Sequence, residues 1–92
     1  MSVPSPGDVL DTFKAHARII HDRDDDLITD VYLPAAIGKL KAVTDLEDTD
    51  DWTGQPLLVM FRLAAAMYES REVNIDMAPM IPEIVSLWKP SA

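Results

Sequence analysis

Between Pro56 and Arg71 the chain reads Leu57-Leu58-Val59-Met60-Phe61-Arg62-Leu63-Ala64-Ala65-Ala66-Met67-Tyr68, an apolar run broken only by Arg62. A helix that is hydrophobic on nearly all sides belongs at the centre of a fold or inside a bilayer. A bilayer span needs about 20 apolar residues. This run is too short for that and carries an arginine. The pattern therefore predicts a buried central helix from Pro56 to about Arg71. Pro56 suits a first helical turn, where its missing N–H costs nothing. With 92 residues in all, the chain has material for one small core and not two. We read residues 1–92 as a single domain.

The remaining segments group around that helix. Residues 1–6 form an extended arm. A first helix runs from about Pro6 to Arg18, with Ser5 placed to cap it and Val9, Leu10, Phe13, Ala17 and Ile20 on one stripe at helical spacing. A second helix covers about residues 24–43, capped by Asp22 or Asp24. Leu27, Ile28, Val31, Ala35, Leu40 and Val43 form its apolar side. Pro34 lies inside it and predicts a kink or break, and Gly38 weakens its second half. Thr44 to Gln55 is an acidic surface loop, Glu72 to Pro79 a connector, and Pro82 to Lys89 a short fourth helix ended by Pro90. Residues 90–92 are a short tail. No stretch alternates long enough for a strand. The fold class is all-α, a small bundle of about four helices with the third at its centre.

The charge balance excludes several functions. Eight basic and sixteen acidic residues give a net charge of −8. A general nucleic-acid grip needs a basic face to displace counterions, and this chain has no cationic excess to build one. An anionic membrane surface is disfavoured for the same reason. Cysteine is absent, so neither disulfides nor thiolate chemistry is available. The segment from Met1 to Gly7 lacks the basic-then-apolar pattern of a signal peptide.

A search for chemistry returns little. The acidic clusters Asp22, Asp24, Asp25, Asp26 and Asp45, Glu47, Asp48, Asp50, Asp51 invite a calcium reading. An EF-hand loop needs glycine at its sixth position and glutamate at its twelfth. Counted from Asp22 those positions hold Leu27 and Leu33, and from Asp45 they hold Asp50 and Pro56. The first cluster reads instead as acids complementing a helix dipole. His16 and His21 are five apart, where a helical metal pair needs three or four. No phosphate cradle, nucleophile elbow or zinc-protease motif occurs. We expect no enzyme activity, no cofactor and no metal. Met60, Met67, Met77 and Met80 suit core or interface filling. Trp52 and Trp88 each stand beside a proline or glycine at an element's edge. Each is either a lid on the core or an anchor at a subunit contact. Glu69, Arg71 and Glu72 end the central helix either as a solvated tip or as charge pairs to a neighbouring element or subunit.

Three stretches resemble a known family. They are Lys14-Ala15-His16-Ala17-Arg18-Ile19 with His21-Asp22-Arg23-Asp24-Asp25-Asp26-Leu27-Ile28, the apolar helix ending Tyr68-Glu69-Ser70-Arg71-Glu72, and Ile81-Pro82-Glu83-Ile84-Val85-Ser86-Leu87-Trp88-Lys89-Pro90. In order and over most of the chain they are similar to the head–tail connector proteins of long-tailed bacteriophages, and the Tyr-Glu-x-Arg-Glu end is the most specific piece. Where relatives carry a tyrosine-threonine-glycine-arginine turn, this chain has Trp52-Thr53-Gly54-Gln55.

The resemblance implies a protomer of a ring of about twelve copies, closed by heterologous contacts. That ring docks beneath the portal protein after packaging, extends the DNA channel, and carries the stopper or tail-completion protein. It implies a place in the virion neck after synthesis in the host cytoplasm. Double-stranded DNA would pass without specific binding, since an acidic wall repels phosphate. Trp88, Leu87 and Pro90, with Trp52, Glu69, Arg71 and Glu72, are the contact residues expected on this reading. A small acidic helical interaction or regulatory module, such as a DNA mimic, is the alternative.

Overall fold

The computed structural model describes residues 2–44 and 46–71. These are all-helical, with three helices and no strand among the described residues. A 3₁₀ turn, Pro6–Asp8, leads into α1, Leu10–Ala17. Helix α2 opens with Asp25–Leu27, passes through a π-helical turn at Ile28–Tyr32 and continues as α-helix over Leu33–Val43. Helix α3 spans Gln55–Ser70. The expected fourth helix over 82–89 lies outside the described residues, as does the tail 90–92.

The central position of α3 is as the apolar run requires. Val59, Met60, Phe61, Leu63, Ala64 and Met67 are buried on it, and Phe13, Ile28, Tyr32, Leu33, Ala36 and Leu40 enclose them from α1 and α2. Phe13 and Phe61 meet edge to face at 5.6 Å, a favoured aromatic geometry. Gly54 precedes α3 at φ +84°, a conformation that disfavours any side chain.

Three expectations need correction. The first helix does not start at Pro6: the chain makes a 3₁₀ turn there, and Ser5 contributes its carbonyl to the Asp8 N–H at 2.9 Å rather than a side-chain cap. Ile20 is not on the buried stripe. Helix α1 closes at Arg18, whose left-handed φ of 59° turns the chain away, and leaves Ile20 98% exposed. The Arg18 N–H reaches back to the Ala15 carbonyl and the Ile19 N–H to that of Lys14, the paired bonds of a Schellman closure.

Pro34 neither breaks nor ends α2. In the π turn the Leu33 N–H bonds to the carbonyl of Ile28, five residues back. The ladder restarts there, so Pro34 occupies a position equivalent to a helix's first turn, where no N–H is needed. The same insertion shifts the face that α2 buries. Tyr32, Leu33 and Ala36 turn inward, whereas Leu27 and Val31 are exposed.

Candidate functional site

Two of the three family-like stretches converge in space; the third, 81–90, lies outside the described residues. Tyr68 and Arg71 lie one helical turn apart, so their side chains leave α3 on the same side. Opposite them stands Asp24, immediately before α2. The Tyr68 hydroxyl donates to Oδ2 of Asp24 at 2.7 Å, and Nη2 of Arg71 donates to the same oxygen at 3.2 Å. The Arg71 guanidinium also lies over the Tyr68 ring, 4.6 Å from its centre, within cation–π range. Tyr32 meets the same ring edge-on at 6.1 Å. The Nε2 of His21 lies 3.4 Å from the Tyr68 hydroxyl, and its Nδ1 accepts the Arg23 N–H at 3.3 Å.

The electrostatics suit fastening rather than proton transfer. The Tyr68 hydroxyl, and secondarily Arg71, hold the Asp24 carboxyl below its ordinary 3.8. Asp24 in turn raises the Tyr68 phenol above 10. Across the neutral range both groups therefore keep one protonation state, and the cluster binds the end of α3 to the start of α2.

The acidic set divides. Asp24 is not the side-chain cap expected of it, because its carboxylate is taken by Tyr68 and Arg71. Nor does Asp22 cap α2; it is exposed, as is Asp26. Asp25 pairs with Lys14 of α1 at 2.8 Å. In the loop, Asp48 pairs with Lys41, while Oδ2 of Asp50 accepts the Glu47 N–H at 2.7 Å and Oδ1 of Asp51 accepts the Thr53 N–H at 2.9 Å. The Val3 N–H donates to the Asp48 carbonyl at 2.8 Å and ties the N-terminal arm to this loop. The loop is thus an internally bonded turn, and Glu47 is exposed on it. Asp45 lies outside the described residues.

Trp52 is fully enclosed, and its Nε1–H donates to the Glu47 carbonyl at 3.0 Å. It is part of the chain's own core. Arg71 ends α3 in a solvent-exposed charge pair to Asp24, and Glu69 is exposed beside it. Glu72, Leu87, Trp88 and Pro90 lie outside the described residues, as do Met77 and Met80.

Sequence reasoning did not bring together the connector between α1 and α2 and the C-terminal half of α3. Their junction forms an open cleft of about 470 Å³, with Ala17, Ile19, Ile20 and Ala65 in its apolar lining and His16, Arg18 and Glu69 among its polar groups. The spacing of Tyr68 and Arg71 was the available signal; its target 44 residues away was not. Among the described residues no group of acidic and histidine side chains is arranged to hold a metal ion, and no helix is long and apolar enough to cross a membrane.

Among the described residues, Lys14, Asp24, Asp25, Tyr68 and Arg71 serve to hold one helix to another. The chain matches the model of the phage gp6-like head-tail connector family over residues 8–80 and belongs to that family. Its members are structural components of the head–tail junction of phage particles. No curated protein and no solved structure matches the chain.

Proposed function

We propose that this chain is the adaptor of a phage portal vertex. About twelve copies form a closed ring of heterologous contacts. The ring docks beneath the portal once DNA is packaged, extends the channel, and offers a platform to the stopper or tail-completion protein. The observation that carries this reading is the family match over residues 8–80. The net charge of −8 supports it, because an acidic ring repels phosphate and lets the genome pass without adhering. We assign Trp88, with Leu87 and Pro90, to the contact with portal or the neighbouring copy, since a tryptophan seated in a pocket is a strong anchor.

The test is electron microscopy of the protein mixed with its purified cognate portal. A ring at the portal's tail-side end supports the adaptor. Failure to bind portal, combined with capture of a DNA-binding protein at its DNA site, favours the acidic mimic instead. Trp88→Ala is expected to abolish co-sedimentation with portal while the protomer still folds.

A further inference from the structure

The connector from Arg18 to Asp24 opens on the left-handed residue that closes α1 and carries an apolar side chain that nothing among the described residues covers. Arg18 adopts a left-handed backbone at φ 59°, a conformation in which a non-glycine residue is strained. Arg71 does the same at the end of α3, but there the side chain secures Asp24 and Tyr68. The Arg18 side chain makes no ion pair or hydrogen bond among the described residues. Two residues on, Ile20 is 98% exposed beside the cleft. The backbone of Arg18 is accounted for by the closure of α1; what stands open is Ile20 between two arginines without ion pairs among the described residues.

The charges indicate what covers it. Lys14, Lys41 and Arg71 are ion-paired, and Arg62 has a partner. Arg18, Arg23 and Lys39 have no ion pair among the described residues, and two of these three flank Ile20. Asp22 stands exposed in the same connector and Glu69 across the cleft; neither pairs with the two arginines. At the far end of the antiparallel α2–α3 pair, about 28 Å away along α2 at 1.5 Å per residue, the loop presents Glu47 and Asp48 with a single neutralising partner, Lys41. One copy therefore carries two guanidinium groups without ion pairs at one end, beside the exposed Asp22 and Asp26, and at the other the unpaired Glu47 next to Asp48, which Lys41 neutralises.

We propose that the Arg18–Arg23 connector of one copy receives the Glu47–Asp48 corner of the next, with Ile20 entering the contact between the two arginines. The inference rests on the ring reading above and names the surfaces that would close it. A contact between different patches at opposite ends of a protomer is heterologous and repeats from copy to copy.

A charge-swap experiment tests it. One variant carries Arg18→Glu and Arg23→Glu, and a second carries Glu47→Arg and Asp48→Arg. All four side chains are exposed, and circular dichroism checks that each variant folds. If reversal unfolds the chain, Arg18→Gln with Arg23→Gln and Glu47→Gln with Asp48→Gln test the same contact without rescue. Assembly is followed by sedimentation at low salt, for the chain alone and with purified cognate portal. Each reversed variant alone is expected to assemble about tenfold or more weakly, since like charges then face each other. The equimolar mixture is expected to recover, because every contact in an alternating ring is again complementary.

Half-swapped or neutralised variants that form rings like the wild type overturn the proposal and leave the adaptor reading standing. So does a mixture that stays unassembled while both members fold, and so does a loss confined to portal binding with copy–copy assembly intact, which would make portal the occupant. A wild-type chain that never associates with itself, free or on portal, overturns both readings.

Discussion

The hydroxyl of Tyr68 and the carboxylate of Asp24 share a 2.7 Å hydrogen bond across 44 positions of sequence, and Arg71 completes it from the next turn of α3. The bond closes the helical layer at the end where the connector leaves α1. It also gives physical content to two motifs that define the family resemblance. The acidic stretch before α2 supplies the acceptor, and the Tyr-Glu-x-Arg end of α3 supplies both donors. Tyr68→Phe removes the shorter donor and leaves the ring contacts with Arg71 and Tyr32 in place. We expect a melting temperature lowered by a few degrees with unchanged helix content. Arg71→Lys should recover less than the native pair, because an ammonium cannot reproduce the planar guanidinium over the ring. Thermal melts followed by circular dichroism read both effects.

The same bond sets a pH dependence with two limbs. The Asp24 carboxyl titrates below its ordinary 3.8 in the folded chain, chiefly because Tyr68 donates to it. A depressed folded value means that its contribution is fully present above the unfolded value and is lost as pH falls through and below it. The Tyr68 phenol titrates above 10 because Asp24 holds its proton. Its contribution is present below that value and is lost as pH rises through the raised one. Asp51 adds to the acid limb, since the Thr53 N–H holds its carboxyl low. Melting temperature against pH should therefore fall below about pH 4 and again above about pH 10. In Tyr68→Phe both limbs should flatten, the alkaline one most. An unchanged alkaline limb in that variant would show that the phenol is not coupled to the fold.

Much of this was legible in the sequence, for identifiable reasons. The apolar run from Leu57 to Tyr68 admits one burial solution, and Pro56 marks its start, so α3 was readable almost to the residue. The acidic loop was readable from composition. The register of α2 was not, because periodicity assumes a uniform turn. The π turn at Ile28–Tyr32 lets Pro34 stay in the helix and rotates Leu27 and Val31 outward. Asp24 read as a cap because local rules see only neighbours, whereas its partner is brought in by the antiparallel return of α3. Trp52 stood between two readings on sequence alone. Only the three-dimensional path of the loop, folding its indole over the core, distinguishes them.

Trp52 is expected to be the costliest single truncation in the loop. It is fully buried, and its indole N–H is bonded to the Glu47 carbonyl at 3.0 Å. Trp52→Ala should lose about 3–5 kcal/mol, typical of a large aromatic removed from a core. Trp52→Phe should lose less, keeping most of the apolar volume while leaving that carbonyl only the Asp50 N–H, at 3.0 Å, as donor. Urea denaturation separates the two, and a near-native midpoint for Trp52→Ala would mean that the loop does not cover the core.

Leu63 tests the centre of the fold. It is fully buried on α3, where an aspartate would find no partner. An unpaired buried charge costs several kcal/mol, a large share of the roughly 5–15 kcal/mol that stabilises a typical domain. Leu63→Asp is expected to be largely unfolded at room temperature, and Leu63→Met to melt close to the wild type. Far-ultraviolet circular dichroism of the two checks the assignment directly.

The two left-handed arginines should respond in opposite ways to glycine. At φ 59° and 60°, Arg18 and Arg71 both occupy backbone that glycine adopts freely. Relief of that strain contributes roughly 1 kcal/mol, offset in part by the greater freedom glycine gives the unfolded chain. At position 18 nothing else is lost, since the side chain has no partner among the described residues. Arg18→Gly should therefore melt at or slightly above the wild-type temperature. At position 71 the same relief is set against the ion pair to Asp24 and the stacking on Tyr68, so Arg71→Gly should melt lower. The pair of melting curves isolates what each side chain does, because the backbone change is the same in both. If Arg18→Gly melts as low as Arg71→Gly, the Arg18 side chain has an intramolecular role and is not free to meet a second copy.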